Sequence, residues 1–111
     1  MTITGRVIAG EGKAGGYYRT PTANLSVEPK ELARGVYAGF ATLEGMTWPS
    51  VICWGEKFEA HLFGYNGDLY GKEIAVEVKE RISDLEPFKG EAQMRAKIEN
   101  DVTRAKVVLG I

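Results

Sequence analysis

The chain reads as a series of short strands separated by turn residues, followed by one change of period. Thr2 to Ala9 is rich in β-branched residues and stops at Gly10, as a strand does before a turn. Gly35 to Leu43 and Thr47 to Cys53 read as two strands joined by a hairpin at Glu44-Gly45. Phe58 to Tyr65 and Lys72 to Glu80 flank Asn66-Gly67. Both of those turn residues tolerate positive φ, so the pair predicts a tight hairpin. Ile74, Val76 and Val78 alternate with Glu73, Ala75 and Glu77, the pattern of a half-buried strand. After Gly90 the period becomes helical. Met94, Ile98, Val102, Ala105 and Leu109 form the apolar stripe, with Arg95, Lys97, Glu99, Asp101 and Arg104 between them. Gly90 suits the N-cap, Glu91 the first turn and Gly110 the stop. Short strands plus one closing helix predict a mainly β fold, a small antiparallel barrel whose closure removes exposed strand edges.

Composition narrows the picture. The 111 residues make one domain, 1–111, with enough apolar residues for one compact core. Lys and Arg total 14 against 15 Asp and Glu, and this balance argues against nucleic acid or an acidic membrane surface as partner. The single cysteine, Cys53, excludes an internal disulfide framework and fits a reducing compartment. The opening Met-Thr-Ile-Thr-Gly-Arg lacks the basic end and apolar core of a signal peptide, and no apolar run approaches a membrane span. The expectation is a cytoplasmic monomer without a second domain.

Three segments carry candidate chemistry. A glycine-rich basic stretch, Gly10 to Thr20, includes Gly10, Gly12, Lys13 and Arg19. Glycines let backbone N–H groups approach phosphate, although such a stretch is also an ordinary surface connection. Pro21-Thr22-Ala23-Asn24 follows it. If this segment is a strand, Thr22 and Asn24 share one face and offer a hydroxyl and an amide oxygen to a hard cation. Taken alone, it is better explained by a proline fixing φ and an asparagine bonding nearby backbone. Glu59 lies in Phe58-Glu-Ala-His-Leu-Phe63, where Phe58, Ala60 and Leu62 predict an inward face. Glu59 then projects the other way with His61 and Phe63. His61 is the chain's one histidine, and without clustered ligands it suits hydrogen bonding better than a transition metal.

The ordered set Gly10-Glu-Gly12, Pro21 to Asn24, Gly35-Val-Tyr-Ala38, Glu59-Ala-His-Leu62, Asp68-Leu-Tyr-Gly71, Arg81 and the tail from Gly90 resembles the riboflavin kinase (flavokinase) family. The resemblance covers most of the chain. It implies a six-stranded antiparallel barrel with a C-terminal helix, and transfer of the γ-phosphoryl group of Mg-ATP to the riboflavin 5′-hydroxyl, giving FMN and ADP. Glu59 would be the catalytic base. Gly10, Gly12, Lys13, Thr22, Asn24 and Tyr70 would contact the nucleotide, and Thr22 and Asn24 its Mg²⁺. Arg81 and Phe88 would border the flavin ring, where an Arg can bond carbonyls and an aromatic can pack. As a lone barrel the chain is expected to stop at FMN. The alternative is a barrel that binds flavin or nucleotide without turnover, as a carrier or regulator. Two departures from the family pattern stand out. Arg19-Thr20 replaces the apolar pair before the proline, and Val51 to Lys57 runs straight into Phe58 where relatives carry a longer connection.

Overall fold

The computed structural model describes residues 1–8, 22–87 and 89–111, with Thr22 described by its backbone. Six strands and one helix follow in order: β1 (Thr2–Ile8), β2 (Thr22–Leu25), β3 (Gly35–Leu43), β4 (Met46–Trp54), β5 (Phe58–Leu62), β6 (Glu73–Ser83) and α1 (Glu91–Leu109). The strands close into an antiparallel barrel in the order β1-β2-β5-β4-β3-β6. This is the small antiparallel barrel with a closing helix that the pattern predicts, with the six strands that the family resemblance implies.

Alternation explains the two apolar layers. Phe58, Ala60 and Leu62 of β5 point inward and meet Val7, Leu25, Tyr37, Ile52 and Ile74 in the barrel interior. Outside the barrel, Val36, Ala38, Val51 and Ile82 form a second layer with Ala105 of the helix. β3 is therefore buried on both faces, which is why Gly35 to Leu43 is almost continuously small or apolar. Gly39 sits at a register shift between β3 and β6. A Cβ there would lie 2.1 Å from the Glu77 carbonyl oxygen and 2.7 Å from Ile52 Cδ1. The backbones approach too closely for any side chain. Gly39→Ala is expected to destabilise the barrel by about 1–3 kcal/mol, read as a lower midpoint in thermal unfolding; an unchanged midpoint would contradict the close approach.

The Glu44-Gly45 hairpin forms as the sequence predicts, with φ of 50° and 78° and Leu43 paired with Met46. The Asn66-Gly67 hairpin does not form. β5 pairs with β2 and β4, whereas β6 pairs with β1 and β3. Both edges of β5 are occupied, so the chain must cross to the other side of the barrel before β6 can close it. Gly64, Gly67 and Gly71 all take positive φ in this crossing. The turn chemistry is used, but for an irregular connection. Buried Leu69 anchors the connection to the interior, and Gly71 N–H donates to the Val7 carbonyl at 3.0 Å. β5 accordingly stops at Leu62 rather than Tyr65, and β6 runs on through Arg81 to Ser83.

The helix begins after Gly90 and ends at Gly110 in the left-handed conformation. Gly110 N–H donates to the Val107 carbonyl and Ile111 N–H to the Lys106 carbonyl, which satisfies the last-turn acceptors. One residue departs from the polar stripe. Asp101 is 1% exposed, not a solvated neighbour of the apolar positions. Ser83 Oγ donates to Asp101 Oδ1 at 2.7 Å, Lys97 Nζ donates to Oδ2 at 2.7 Å, and Lys97 Nζ also donates to Ser83 Oγ at 2.9 Å. This closed triangle fastens α1 to the end of β6.

Candidate active site

β2 and β5 bring the sequence-selected polar residues together. Their antiparallel register pairs Thr22 with His61 and Asn24 with Glu59. Directly opposed residues share a face of the sheet. The same row continues from Glu59 to Cys53 on β4 and from Cys53 to Val36 on β3. Glu59 thus stands on the outer surface of a barrel whose interior is filled by Phe58, Ala60 and Leu62. Its side chain is 33% exposed, and that of Asn24 is half-buried.

His61 behaves differently from its neighbour. It is 1% exposed, and its Nε2 lies 3.9 Å from Glu59 Oε2. Burial pushes the imidazole pKa down to about 3, so the ring is neutral at physiological pH and the approach to Glu59 is not an ion pair. Above pH 6.5 the ring is neutral in the folded and unfolded chains alike. Between about pH 6.5 and 3 the unfolded chain takes up a proton that the folded chain refuses. Stability therefore falls as pH falls through that window, by roughly 1 kcal/mol per pH unit from this group. Glu59 is the ionisable side chain that faces it. Urea unfolding at several pH values should show this slope, and His61→Gln should flatten it; an equal slope in that variant would assign it to carboxylates.

The β4–β5 turn is short. Gly55 N–H donates to the Lys57 carbonyl at 3.1 Å, and Trp54 pairs with Phe58 across it. Arg34 Nε donates to the Gly55 carbonyl at 2.9 Å, while its guanidinium lies 4.5 Å above the Trp54 ring. The turn is held against the barrel end.

Arg81 lies in β6 and is bound to its own protein. Nη1 donates to the Arg34 carbonyl at 3.0 Å and to Tyr37 Oη at 3.2 Å, and Nη2 donates to Asp84 Oδ1 at 2.6 Å. The hydrogen bond and charge of Arg81 hold the Asp84 carboxyl below its usual pKa. The guanidinium passes so close to Gly35 that a Cβ there would meet Nη1 at 2.4 Å. Tyr70 is 63% exposed, and its backbone N–H donates to Asp68 Oδ1 at 3.0 Å. The adjoining Gly71 touches Val7, one residue before the Ile8–Asn24 pair. Gly10, Gly12, Lys13 and Phe88 lie outside the described residues. Sequence reasoning missed the burial of His61 and the Asp101 triangle; strand alternation puts His61 on the outward face, where a lone strand gives no signal that it is 1% exposed.

Among the described residues, no group of three His, Cys, Asp or Glu could hold a metal ion, and no helix is long and apolar enough to cross a membrane. The donor set at the β2–β5 pair is all oxygen apart from His61: the Asn24 amide, the Glu59 carboxylate and, by residue type, the Thr22 hydroxyl. Such a set fits a hard cation that also takes ligands from phosphate and water.

Comparison with known proteins agrees with the fold. The family model described as Flavokinase, riboflavin kinase, matches residues 1–109. The chain is 30% identical over 124 aligned positions to the bifunctional riboflavin kinase/FMN adenylyltransferase of Escherichia coli K12, covering 100% of this chain and 39% of that protein. It is 27% identical over 117 positions to the enzyme of the same description from Pseudomonas fluorescens, covering 96% of this chain and 37% of the relative. The chain thus spans under two-fifths of the length of these relatives. Among solved structures, riboflavin kinase from Trypanosoma brucei superposes with a TM-score of 0.76 at 19% identity, covering 98% of this chain and 76% of that one. A Streptococcus pneumoniae structure described as a macrolide-efflux protein superposes at 0.79 with 24% identity, covering 95% of this chain and 36% of that one. At these identities the two structures show a shared fold. The chain belongs to the riboflavin kinase family.

Proposed function

We propose that this domain transfers the γ-phosphoryl group of ATP to the 5′-hydroxyl of riboflavin, giving FMN and ADP. The observation that carries this reading is the pairing of Asn24 with Glu59 and of Thr22 with His61 on adjacent strands, within a chain matched to the family over residues 1–109. Glu59 orients the alcohol and accepts its proton as the oxygen attacks the γ-phosphorus. The bond from that phosphorus to the β–γ bridging oxygen breaks, and ADP leaves. Positioning and electrostatics dominate such a transfer. Thr22 and Asn24 would hold Mg²⁺ carried by the nucleotide, which when bound neutralises charge on the phosphates. Gly10, Gly12, Lys13 and Tyr70 are assigned to the nucleotide and Arg81 and Phe88 to the flavin. For Arg81 this means that flavin binds beside, or in place of, its bond to Asp84. We also propose a cytoplasmic monomer; the single cysteine fits a reducing compartment.

The test is incubation of pure protein with riboflavin, Mg²⁺ and separate nucleoside triphosphates, followed by chromatography of the flavins. FMN is expected with ATP and absent without Mg²⁺. Riboflavin binding without FMN from any triphosphate would establish the carrier reading instead.

A further inference from the structure

A buried imidazole opposite Val51 is an expensive choice for that position. His61 pairs across the ladder with Val51 and is 1% exposed. A leucine there would gain burial energy without the cost of desolvating two ring nitrogens. What the imidazole adds is a polar atom fixed in direction, and Nε2 is 3.9 Å from Glu59 Oε2. The two groups differ in exposure. His61 is buried, whereas the Glu59 side chain is one-third exposed. The separation is longer than a hydrogen bond, and catalytic hydrogen bonds are often long before substrate binds and tighten in the complex.

We propose that His61 is a positioning residue for the transfer: its Nε2–H anchors Glu59 Oε2, which leaves Oε1 directed at the substrate hydroxyl. The inference rests on the kinase reading above. A carboxylate has lone pairs on both oxygens, so one can be held while the other receives the proton. Val51 and Cys53 flank the two residues on β4, and Thr22 and Asn24 flank them on β2. His61 is thus the side chain on β5 that can fix the carboxylate from beneath.

The experiment compares His61→Gln, His61→Asn and His61→Leu for kcat, for KM with riboflavin and for thermal midpoint. A glutamine amide can place its N–H near the Nε2 position, whereas the shorter asparagine reaches only the Nδ1 position. Gln is expected to keep kcat within about threefold. Asn and Leu are expected to lose about tenfold in kcat with KM changed less than twofold, a split that marks an interaction used in the transition state. Adding His61→Leu to Glu59→Gln should cost nothing further, because His61 acts through the carboxylate. Should the Leu variant fail to fold, the Gln and Asn variants still decide. Wild-type kcat in folded Asn and Leu variants, equal losses in all three, or independent losses in the double variant would overturn the proposal. So would failure of Gln and Asn alike to fold, which would mark a purely structural residue. A wild-type protein that makes no FMN would remove the kinase reading itself, whereas an active wild type with insensitive variants removes the His61 proposal alone.

Discussion

Glu59→Gln is expected to lower the turnover of FMN formation by about 10²-fold, with riboflavin affinity changed little. The substitution keeps the size of the side chain and its ability to hydrogen bond, and it removes the capacity to take a proton. A positioned general base contributes on the order of 10²–10⁴-fold. Phosphoryl transfer relies more on orientation than on basicity, so the lower end of that range is expected. The side chain is one-third exposed and outside the barrel core, so the fold should survive and activity can be compared in native protein. Steady-state kinetics for both substrates and a riboflavin titration by fluorescence quenching separate turnover from binding. Wild-type turnover in the variant would reduce Glu59 to a surface residue and leave the site without its base.

Asp101→Ala is expected to destabilise the fold by about 3 kcal/mol, the lower end of the cost of removing one partner from a buried pair. Lys97 is 14% exposed and Asp101 1%, so the lysine left behind can partly reach water. Ser83 Oγ would also lose its acceptor. For a domain of this size such a loss lowers the thermal midpoint by more than about 10 °C. Asp101→Asn should cost less, because its amide oxygen still accepts from Ser83. Chemical denaturation of the two variants checks the order, and equal stability of Asp101→Ala and wild type would mean that the triangle adds nothing to helix docking.

Local features were legible wherever local chemistry decides the outcome. The limits of β3, the Glu44-Gly45 turn, the inward set Phe58, Ala60 and Leu62, and both glycines bounding α1 follow from residue type and spacing. The Asn66-Gly67 turn was misleading because strand pairing is a long-range matter. Its residues do turn the chain, but β2 had already taken the edge of β5 that β6 would have used. Asp101 departs from the helical pattern for a similar reason, since its partner Ser83 sits outside the helix. For the site, Thr22, Asn24 and Glu59 were selected by chemistry and family resemblance, while their adjacency comes from the β2–β5 ladder. The clasp of Arg81 on Asp84, Tyr37 and the Arg34 carbonyl had no local signal, because its partners lie on three segments.

The barrel is unevenly stitched. Among the described residues, β1 and β2 are paired at Val7↔Leu25 and Ile8↔Asn24, with one more bond from Ser26 N–H to the Arg6 carbonyl just past β2, whereas β3 and β4 are paired without a break from Gly35↔Trp54 to Leu43↔Met46. Weakly joined elements open locally at a small fraction of the global unfolding free energy. The strand that carries Asn24 can therefore part from β1 while β3, β4 and the helix stay closed, and its amides should exchange with solvent long before theirs. A molecule bound to β2 and to the Tyr70 end of the 63–72 crossing would bridge this seam. Binding energy would then appear as slowed exchange on β2, so a ligand held there would also act as a hoop around the barrel's weakest seam.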